Sequence, residues 1–541
     1  MSTNKAWLKH YPDSIQSEVV IPNKTLPQVL QDTATKYPQH SAIRFFNQQL
    51  TYQQLHTSVQ LFAAALQKKN VQKGDRVAIM LPNCPQYVIA FYGTLLAGGI
   101  VAQVNPMLVE RELEYLLNDS EAETIIVLES LYPRLKSIQA NTKVKNVIVV
   151  NLKPTSLSVE AEDFQKMIAN SAGDLTPVDI DTEQDIAVLQ YTGGTTGRSK
   201  GAMLTQRNLL ANVVQSAEFF KHEFKEGEER ILSVVPLFHI FGVSSCMNFA
   251  IFAGAESIML PRFEVEEVLQ TINLTRPTIF PGVPTMYVAI THHPKLGEYK
   301  LDSIHTCNSG GAPMPVELFK EFERKTGARI LEGYGLSETS SCTHGNGNFA
   351  ERKFGTVGLA LPSMDYKIVD LATGEKEVPA GELGEIIIKG PQVMKGYWNM
   401  PEETAHALRD GWFYTGDIAK MDEDGYLTII DRKKDLIIAS GFNIYPREVE
   451  EVIYEHPSIQ EAVVIGVPDA YRGETVKAVV VLKGGMETTE AEIIAFCRTS
   501  LASYKVPTTV EFRQQLPKTN VGKILRRSLR EEAKRPNNVP K

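Results

Sequence analysis

The stretch YTGGTTGRSKG, residues 191–201, lies between an apolar run, IAVLQ at 186–190, and a helix-like segment, TQRNLLANVVQ at 205–215. Glycines let a backbone approach a polyphosphate closely, and threonine hydroxyls can donate hydrogen bonds to its oxygens. Lys200 adds positive charge. The spacing differs from that of a Walker A loop. The stretch therefore predicts a phosphate-binding loop of another kind; a flexible surface turn would leave its hydroxyls and its lysine unexplained.

Strand and helix patterns alternate on both sides of this loop. Leu55, Val59 and Phe62 share one face of a predicted helix after Thr51. Apolar strand candidates are VAIML from Val77, TIIVL from Thr124, NVIVV from Asn146, SIML from Ser257 and ARIL from Ala328. Helix-length segments separate them. This alternation predicts an α/β protein with largely parallel sheets.

The sequence pattern changes past residue 384, where the predicted strands become shorter and the predicted turns lie closer together. The charged run DRKKD, 431–435, follows a strand directly and predicts a hinge, although a solvated turn is the commoner origin of such a run. We therefore divide the chain into an N-terminal domain (1–431), a hinge (432–435) and a C-terminal domain (436–541).

Length and composition indicate a large folded protein that acts on small molecules. A chain of 541 residues is long enough for several structural units. Its 43% hydrophobic and 22% charged residues are ordinary for a soluble protein, and the net charge of -8 offers no general attraction to nucleic acid. We therefore expect no nucleic-acid partner.

Cysteine usage and the N-terminus predict a cytoplasmic location. The five cysteines form no C-x-x-C pair, which argues against zinc and for reduced thiols. The first residues lack the apolar stretch of a secretory signal. An uncharged region between Arg76 and Glu110 resembles a membrane span, but prolines and glycines divide it into a strand, a helix and a strand.

Seven further motifs follow the phosphate loop along the chain. They are PLFHIFG from Pro236, NSGGAPM from Asn308, EGYGLSET from Glu332, YTGD from Tyr414, DRKKDLI from Asp431, SGFNIYPREVE from Ser440 and PKTNVGKILRR from Pro517. Together with the loop, they resemble the signature set of the adenylate-forming superfamily of acyl-CoA synthetases, luciferases and peptide-synthetase adenylation domains. The resemblance implies a large α/β-layered domain with an additional β-rich subdomain, and a small mobile α+β C-terminal domain.

The resemblance implies that ATP binds to residues of six motifs. Those residues are Thr192, Gly193, Gly194, Thr195, Thr196, Gly197, Lys200, Gly310, Gly311, Ala312, Gly333, Tyr334, Gly335, Asp417, Arg432 and Lys523. The ring of Tyr334 offers a face for adenine. By resemblance, Asp417 accepts hydrogen bonds from the ribose hydroxyls and Arg432 reinforces them. Seen alone, Tyr334 would be interpreted as a core aromatic, and Asp417 and Arg432 as surface ion-pair partners.

Four residues are predicted to act in catalysis. A carboxylate beside a triphosphate is repulsive unless a divalent cation lies between them, so Glu338, together with Thr192, is predicted to hold Mg²⁺. Lys523 supplies the positive charge that two reacting anions need. By resemblance, His239 lies at the wall of the acyl pocket. An exposed carboxylate, a solvated lysine and a core histidine are the ordinary alternatives.

The resemblance also assigns the acyl, hinge and thiol sites. His239, Gly310 and Gly335 are predicted to contact the acyl group, and Lys434 is the hinge position. Rotation of the C-terminal domain would replace Lys523 by the loop from Ser440, where Ser440, Gly441 and Phe442 are predicted to line a tunnel for coenzyme A. Apolar segments at 238–252 and 281–288 are candidates for the acyl tunnel.

These features predict ATP-dependent ligation of a medium- or long-chain fatty acid to coenzyme A through an acyl-adenylate. The block at 410–438 resembles that of bacterial fatty-acyl-CoA synthetases more than that of aryl-CoA ligases. An aryl- or short-chain ligase, a luciferase-like oxygenase and a non-catalytic nucleotide-binding homologue stay open. A peptide-synthetase module is less favoured, because no carrier segment follows Lys523. Peripheral contact with the inner face of the membrane and a homodimer stay open too.

Overall fold

Two large sheets with parallel centres organise the N-terminal part of the computed structural model, which describes residues 5–153, 161–172, 174–192, 199–439, 442–469, 472–519 and 524–534. The first sheet has the order Leu359–Ala360, Ser341–Gly345, Arg329–Leu336, Thr306–Ser309, Ile279–Gly282, Arg230–Ser233, Glu256–Met259, Ser41–Phe45 and Gln48–Thr51. The second has the order Gly396–Tyr397, Lys200–Thr205, Ile186–Thr192, Ile100–Gln103, Arg76–Met80, Thr124–Leu128, Asn146–Val150 and Glu162–Asp163.

The central strands of both sheets are short apolar runs. Those at Arg76–Met80 and Thr124–Leu128 are almost entirely buried and pair in parallel. Burial on both faces explains why such strands are continuous hydrophobic runs rather than alternating patterns. Among the described strands of these two sheets, antiparallel pairs occur only toward the edges.

Helices cover these sheets. In the N-terminal part they are Leu26–Lys36, Tyr52–Lys68, Pro85–Leu96, Glu110–Ser120, Tyr132–Ile138, Phe164–Ala169, Gln206–Phe219, Phe249–Phe252, Val265–Thr275, Pro284–Thr291 and Val316–Thr326. Thr51 starts the second of them by accepting a hydrogen bond from the backbone N–H of Gln54. No helix within the described ranges combines the length and apolar character that a bilayer crossing requires.

A third sheet lies between the large sheets and the C-terminal part. Its strands are Asp365–Val369, Gly384–Lys389, Trp412–Met421 and Leu408–Arg409, with Leu427–Arg432 paired to the long strand Trp412–Met421. The helix Pro401–Ala407 directly precedes the strand Leu408–Arg409. The sheet brings Asp417 and Arg432 opposite each other on neighbouring strands.

The C-terminal part is a small α+β unit. Its sheet has the order Phe442–Ile444, Ile437–Ala439, Gly473–Leu482 and Ile459–Asp469, with Thr509–Phe512 paired to Gly473–Leu482. The helices are Pro446–Tyr454, Glu490–Ser500 and Arg526–Lys534. The predicted α/β class, with a large N-terminal and a small C-terminal domain, is confirmed; the boundary at 432–435 stays a prediction.

One local feature differs from the simplest interpretation of the sequence. The helix expected after residue 205 is present at Gln206–Phe219, but a strand, Lys200–Thr205, precedes it. This strand pairs antiparallel with Ile186–Thr192, with Thr192 opposite Lys200. The glycine-rich stretch therefore connects two strands of a hairpin rather than a strand and a helix. Only two or three apolar residues occur in this strand, which is too few for the sequence pattern to predict it.

Candidate active site

A cavity of 1910 Å³ lies where the first and third sheets meet the C-terminal part. Carboxyl ends of parallel strands border it, which is the usual position of ligand sites in α/β sheets. The predicted site residues that line it are Thr192, Lys200, His239, Gly310, Gly311, Ala312, Gly333, Tyr334, Gly335, Glu338, Asp417, Arg432 and Lys434. Motifs far apart in the sequence thus converge on one space.

Asp417 is the centre of a polar group on one wall. The hydroxyl of Tyr334 donates to Asp417 Oδ2 at 2.6 Å, and Arg432 Nε lies 3.3 Å from Asp417 Oδ1. Asp417 is 4% exposed, so these two partners hold its charge. Burial raises the pKa of the Tyr334 phenol well above its usual range, and the Asp417 carboxylate adds to the rise. The group presents a fixed carboxylate, a guanidinium and an aromatic ring.

Glu338 lies on a second wall, directly after the strand Arg329–Leu336. Tyr397 donates its hydroxyl to Glu338 Oε1 at 2.8 Å. The ring of Tyr397 lies beneath the Lys200 ammonium, with 5.2 Å between Nζ and the ring centroid. Lys200 also forms an ion pair with Glu403. Tyr397 therefore links the predicted metal ligand to the lysine at the end of the glycine-rich stretch.

The two strands beside the glycine-rich stretch are held firmly. Ser199 donates its hydroxyl to the carbonyl oxygen of Thr192 at 2.5 Å. Tyr191 donates its hydroxyl to Asp119 Oδ2 at 2.7 Å, and Tyr115 donates to the carbonyl of Ser199 at 3.2 Å. Thr192 and Lys200 thus stand at defined places on the rim of the cavity.

The opposite side of the cavity is largely apolar. Phe241 donates its backbone N–H to His239 Nδ1 at 3.2 Å. A Cβ on Gly310 would stand 3.4 Å from the Phe241 ring, at ordinary van der Waals distance. The apolar lining comprises Val213, Phe220, Phe224, Phe238, Ile240, Phe249, Ile279, Val288, Leu318 and Leu331. Both predicted tunnel segments contribute to it.

Glu332 is a buried carboxyl on the lining, at the start of the EGYGLSET motif. Its Oε1 accepts the backbone N–H of Met314 at 3.3 Å. Burial raises the pKa of Glu332 to about 7, with Glu451 adding to the rise and Arg447 opposing it. This carboxyl changes charge near neutral pH, unlike an ordinary glutamate.

The C-terminal part presents one of its faces to the cavity. Thr519, Ile524 and Leu525 line it, and they stand on both sides of the predicted catalytic lysine. Phe442, predicted for the thiol tunnel, does not line it; its side chain is exposed and stacks on Tyr504 with 4.7 Å between ring centroids. This orientation of the two parts brings Thr519, Ile524 and Leu525, and not Phe442, to the nucleotide residues.

Several predicted site residues lie outside the described residues. They are Gly193, Gly194, Thr195, Thr196, Gly197, Ser440, Gly441 and Lys523. Their roles remain predictions.

Motif reasoning missed Tyr397 and Glu403. Both belong to the segment GYWNMPEE, 396–403, which carries no spacing signal that connects it with Lys200 or Glu338. The strand Gly396–Tyr397 pairs with Lys200–Thr205 and so brings the two regions together. Only this long-range pairing identifies Tyr397 as a neighbour of both charged residues.

Family models match most of the chain. Residues 30–398 match the AMP-binding enzyme family, and residues 448–523 match the AMP-binding enzyme C-terminal domain. The chain belongs to the AMP-binding enzyme family. The resemblance drawn from the eight motifs is therefore confirmed, and membership makes the protein an enzyme of the adenylate-forming type.

Relatives of this AMP-binding enzyme match it over nearly its full length. The long-chain-fatty-acid–CoA ligase of Bacillus subtilis (strain 168) is 50% identical, covering 98% of this chain and 99% of the relative. The enzyme of the same name from Salmonella typhimurium is 38% identical, with 98% of each chain covered. A crystal structure of the anthranilate CoA ligase AuaEII with anthranoyl-AMP has a TM-score of 0.88 at 27% identity, covering 95% of this chain and 98% of that one.

Proposed function

We propose that this chain joins a medium- or long-chain fatty acid to coenzyme A in two steps. In the first step, a carboxylate oxygen of the acid attacks the α-phosphorus of ATP and pyrophosphate leaves. In the second, the thiol of coenzyme A attacks the carbonyl carbon of the acyl-adenylate and AMP leaves. One observation carries the proposal: a single cavity joins the Tyr334, Asp417 and Arg432 group to a long apolar extension. The full-length similarity to long-chain ligases supports it.

The nucleotide would take the polar wall. Asp417 is a buried acceptor whose charge is already compensated by Arg432, so ribose hydroxyls could bind to it without leaving a carboxylate unpaired. Tyr334 would offer its ring to adenine. Gly310, Gly311 and Ala312 form a wall with little side-chain bulk, which suits a flat base beside an acyl group.

The residues present suit Mg²⁺. In the described ranges, no three acidic, histidine or cysteine side chains cluster as a closed metal site. Mg²⁺ is commonly held by one or two protein oxygens together with phosphate oxygens and water, which fits Glu338 with Thr192. When bound, the ion would neutralise charge on the phosphates. Tyr397 would keep the Glu338 carboxylate oriented for it.

Lys523 would stabilise the charge that develops at the α-phosphate in the first step. Two anions must meet there, and an ammonium group lowers their repulsion as the new bond forms. Thr519 and Ile524, on either side of the lysine, line the cavity and support this role. In the second step, rotation about Lys434 would exchange this face for the one that carries Ser440, Gly441 and Phe442.

The depth of the apolar extension favours a long acyl chain over acetate. Thr306, the first residue of the strand Thr306–Ser309, and Gly310, which directly follows that strand, both line the cavity. At about 3.3 Å per residue, the four steps between them span roughly 13 Å. Each buried methylene contributes about 0.8 kcal/mol, so a chain that fills this depth binds much more strongly than a short acid.

The proposal is tested by measuring pyrophosphate release from ATP and Mg²⁺ with acids from acetate through palmitate and oleate to coumarate, with and without coenzyme A. We expect a maximum at long chains, conversion of coenzyme A to thioester, and loss of most adenylation in Lys523→Ala. A maximum at coumarate would replace the substrate class by aromatic acids. Silence with every acid would refute the ligase function.

A further inference from the structure

Arg526 joins the C-terminal part to the third sheet. It is the first residue of the helix Arg526–Lys534. Its Nη1 lies 3.3 Å from Asp431 Oδ1, and its Nη2 lies 2.5 Å from Glu450 Oε2. Asp431 belongs to the strand Leu427–Arg432, whereas Glu450 belongs to a helix of the C-terminal part. One guanidinium therefore bridges the boundary between the two parts.

The bridge is well shielded from water. The side chains of Asp431, Glu450 and Arg526 are 1%, 10% and 21% exposed. Charges at such depth stay ionised only when they are paired, and removal of one partner leaves the others uncompensated. The backbone N–H of Arg447 also donates to Asp431 Oδ2 at 3.1 Å, so Asp431 receives two donors from the C-terminal part.

Further contacts cross the same boundary. Arg447 donates from Nη1 to the carbonyl oxygen of Ile429 at 2.7 Å. The Glu451 carboxylate faces the backbone N–H of Val316, the first residue of the helix Val316–Thr326. A carboxylate at a helix N-terminus is a favourable arrangement. These contacts depend on the orientation in which the C-terminal part faces the cavity.

The helix Arg526–Lys534 also holds the turn of the hinge. Arg530 lies one helical turn after Arg526, and its Nη1 is 2.9 Å from Asp435 Oδ1. Its guanidinium also donates to the carbonyl oxygens of Lys434 and Asp435, at 3.2 and 2.7 Å. The C-terminal helix thus fixes both the hinge turn and the strand that precedes it.

This orientation is the one that suits adenylation. Thr519 and Ile524 line the same cavity as Asp417 and Glu338, while Phe442 is exposed and turned elsewhere. Arg526 follows Lys523 by three positions, so an anchor at Arg526 limits where the lysine-bearing segment can go. Rotation of the C-terminal part would break the contact with Asp431 and would leave the contact with Glu450, which moves with Arg526.

We propose that Arg526 is a positioning residue that holds the C-terminal domain in its adenylating orientation through the ion pair with Asp431. This inference rests on the proposed two-step ligase function. A contact made in only one of two orientations shifts the population toward that orientation. Loss of Arg526 should therefore affect the two half-reactions differently.

The test compares the half-reactions in purified Arg526→Ala. Adenylation is measured as fatty-acid-dependent exchange of labelled pyrophosphate into ATP, and thioester formation is measured from synthetic acyl-adenylate and coenzyme A. We expect adenylation to fall about ten-fold or more, within the usual range of coupling effects, and thioester formation to be unchanged or faster. Arg526→Lys, which keeps the charge, should recover part of the adenylation rate.

Arg513→Ala is the matched control. Arg513 pairs with Glu532 of the same helix at 2.8 Å, but both residues lie within the C-terminal part. Both half-reactions should survive in this variant. Equal loss of both in Arg526→Ala, or loss of neither, would overturn the positioning role while the wild type still performs them. A wild type that performs neither would refute the proposed function, and this inference with it.

Discussion

Tyr397 shows how one side chain can serve two charged neighbours. Its hydroxyl donates to Glu338, and its ring faces the Lys200 ammonium. Burial raises the pKa of this phenol, and the Glu338 carboxylate adds to the rise, so the hydroxyl remains a donor throughout the working pH range. The orientation of the proposed Mg²⁺ ligand therefore depends on a residue outside the eight motifs.

Tyr397→Phe removes the hydroxyl and keeps the ring. We expect the Mg²⁺ concentration for half-maximal pyrophosphate release to rise about ten-fold, since a hydrogen bond to a charged group contributes roughly 1.5 kcal/mol. The contact with Lys200 should persist. A Mg²⁺ titration measures this effect. Tyr299→Phe, which removes a phenol paired with the exposed Glu266, is the control; an equal shift in both variants would contradict the role of Tyr397.

Glu332 predicts a pH dependence of stability. Its pKa of about 7 in the folded protein lies above the ordinary value of 4.5. Between these two pH values, the folded state therefore keeps a proton that the unfolded chain has lost. Stability contributed by this group is therefore complete below pH 4.5 and falls as the pH rises to about 7. Arg447 and Glu451 are the charged groups that face it.

The variant Glu332→Gln has a side chain that cannot ionise, so its stability should not fall in this way as the pH rises. We expect the difference in Tm between this variant and wild type to be more positive at pH 8 than at pH 5. The change should be equivalent to at most about 3 kcal/mol. Thermal unfolding at the two pH values measures it. Glu317→Gln, at an exposed carboxylate, should show no such difference. A constant offset at both pH values would show that Glu332 does not titrate as described.

Much of the site could be predicted at the scale of single residues, because these residues lie in short continuous motifs. Tyr334, Glu338 and Asp417 lie in short motifs that resemble the signature set of the adenylate-forming superfamily, and this resemblance, more than their residue types alone, indicated nucleotide chemistry. Arg526 and Glu403 act through partners distant in sequence, and an isolated arginine or glutamate is usually a solvated surface residue. Their contacts follow from strand pairing and domain packing, which no short segment encodes.

At the scale of elements, the hairpin Arg329–Leu336 with Ser341–Gly345 delivers Tyr334 and Glu338 to the cavity. Its strands approach so closely at Gly335 that a Cβ there would lie 1.7 Å from the carbonyl oxygen of Ser341. No side chain fits at this distance without displacement of the backbone. The glycine of this motif is therefore required by packing as well as by any contact with substrate.

Gly335→Ala should destabilise the N-terminal domain by about 3 kcal/mol or more, because the clash is with backbone that cannot move aside. We expect Tm to fall by several degrees and ATP-dependent activity to be lost. Gly297→Ala is the control, since a Cβ at Gly297 would have nothing within 4 Å. A Tm of Gly335→Ala equal to that of wild type would contradict the close pairing.

Strand positions were predictable from apolar runs, but strand order was not. The strand Ser41–Phe45 pairs with Glu256–Met259, more than 200 residues further along the chain. Periodicity identifies a buried strand without naming its neighbour. The extra strand Lys200–Thr205 was missed for a related reason, since it carries too few apolar residues to stand out beside the glycine-rich stretch.

At the scale of the whole molecule, the proposed function assigns the two half-reactions to two orientations of the C-terminal part. In the orientation described, Glu451 faces Val316 across the boundary. A covalent bridge between these positions would fix that orientation. Four of the five native cysteines are buried, so introduced thiols can be modified selectively.

Val316→Cys with Glu451→Cys, bridged by a short bismaleimide, should retain adenylation and lose most thioester formation. Pyrophosphate exchange and the reaction of synthetic acyl-adenylate with coenzyme A measure the two steps. Each single cysteine variant treated with the same reagent is the control and should keep both. A bridged enzyme that still forms thioester at the wild-type rate would show that rotation about Lys434 is unnecessary.

The acyl-adenylate is the central claim, and an isotope label tests it most directly. The purified enzyme is supplied with palmitate carrying ¹⁸O in both carboxylate oxygens, together with ATP, Mg²⁺ and coenzyme A, and the products are analysed by mass spectrometry. Attack of the carboxylate on the α-phosphorus predicts one ¹⁸O in AMP and the other in the thioester. Label in inorganic phosphate with formation of ADP, or AMP without label, would contradict the account.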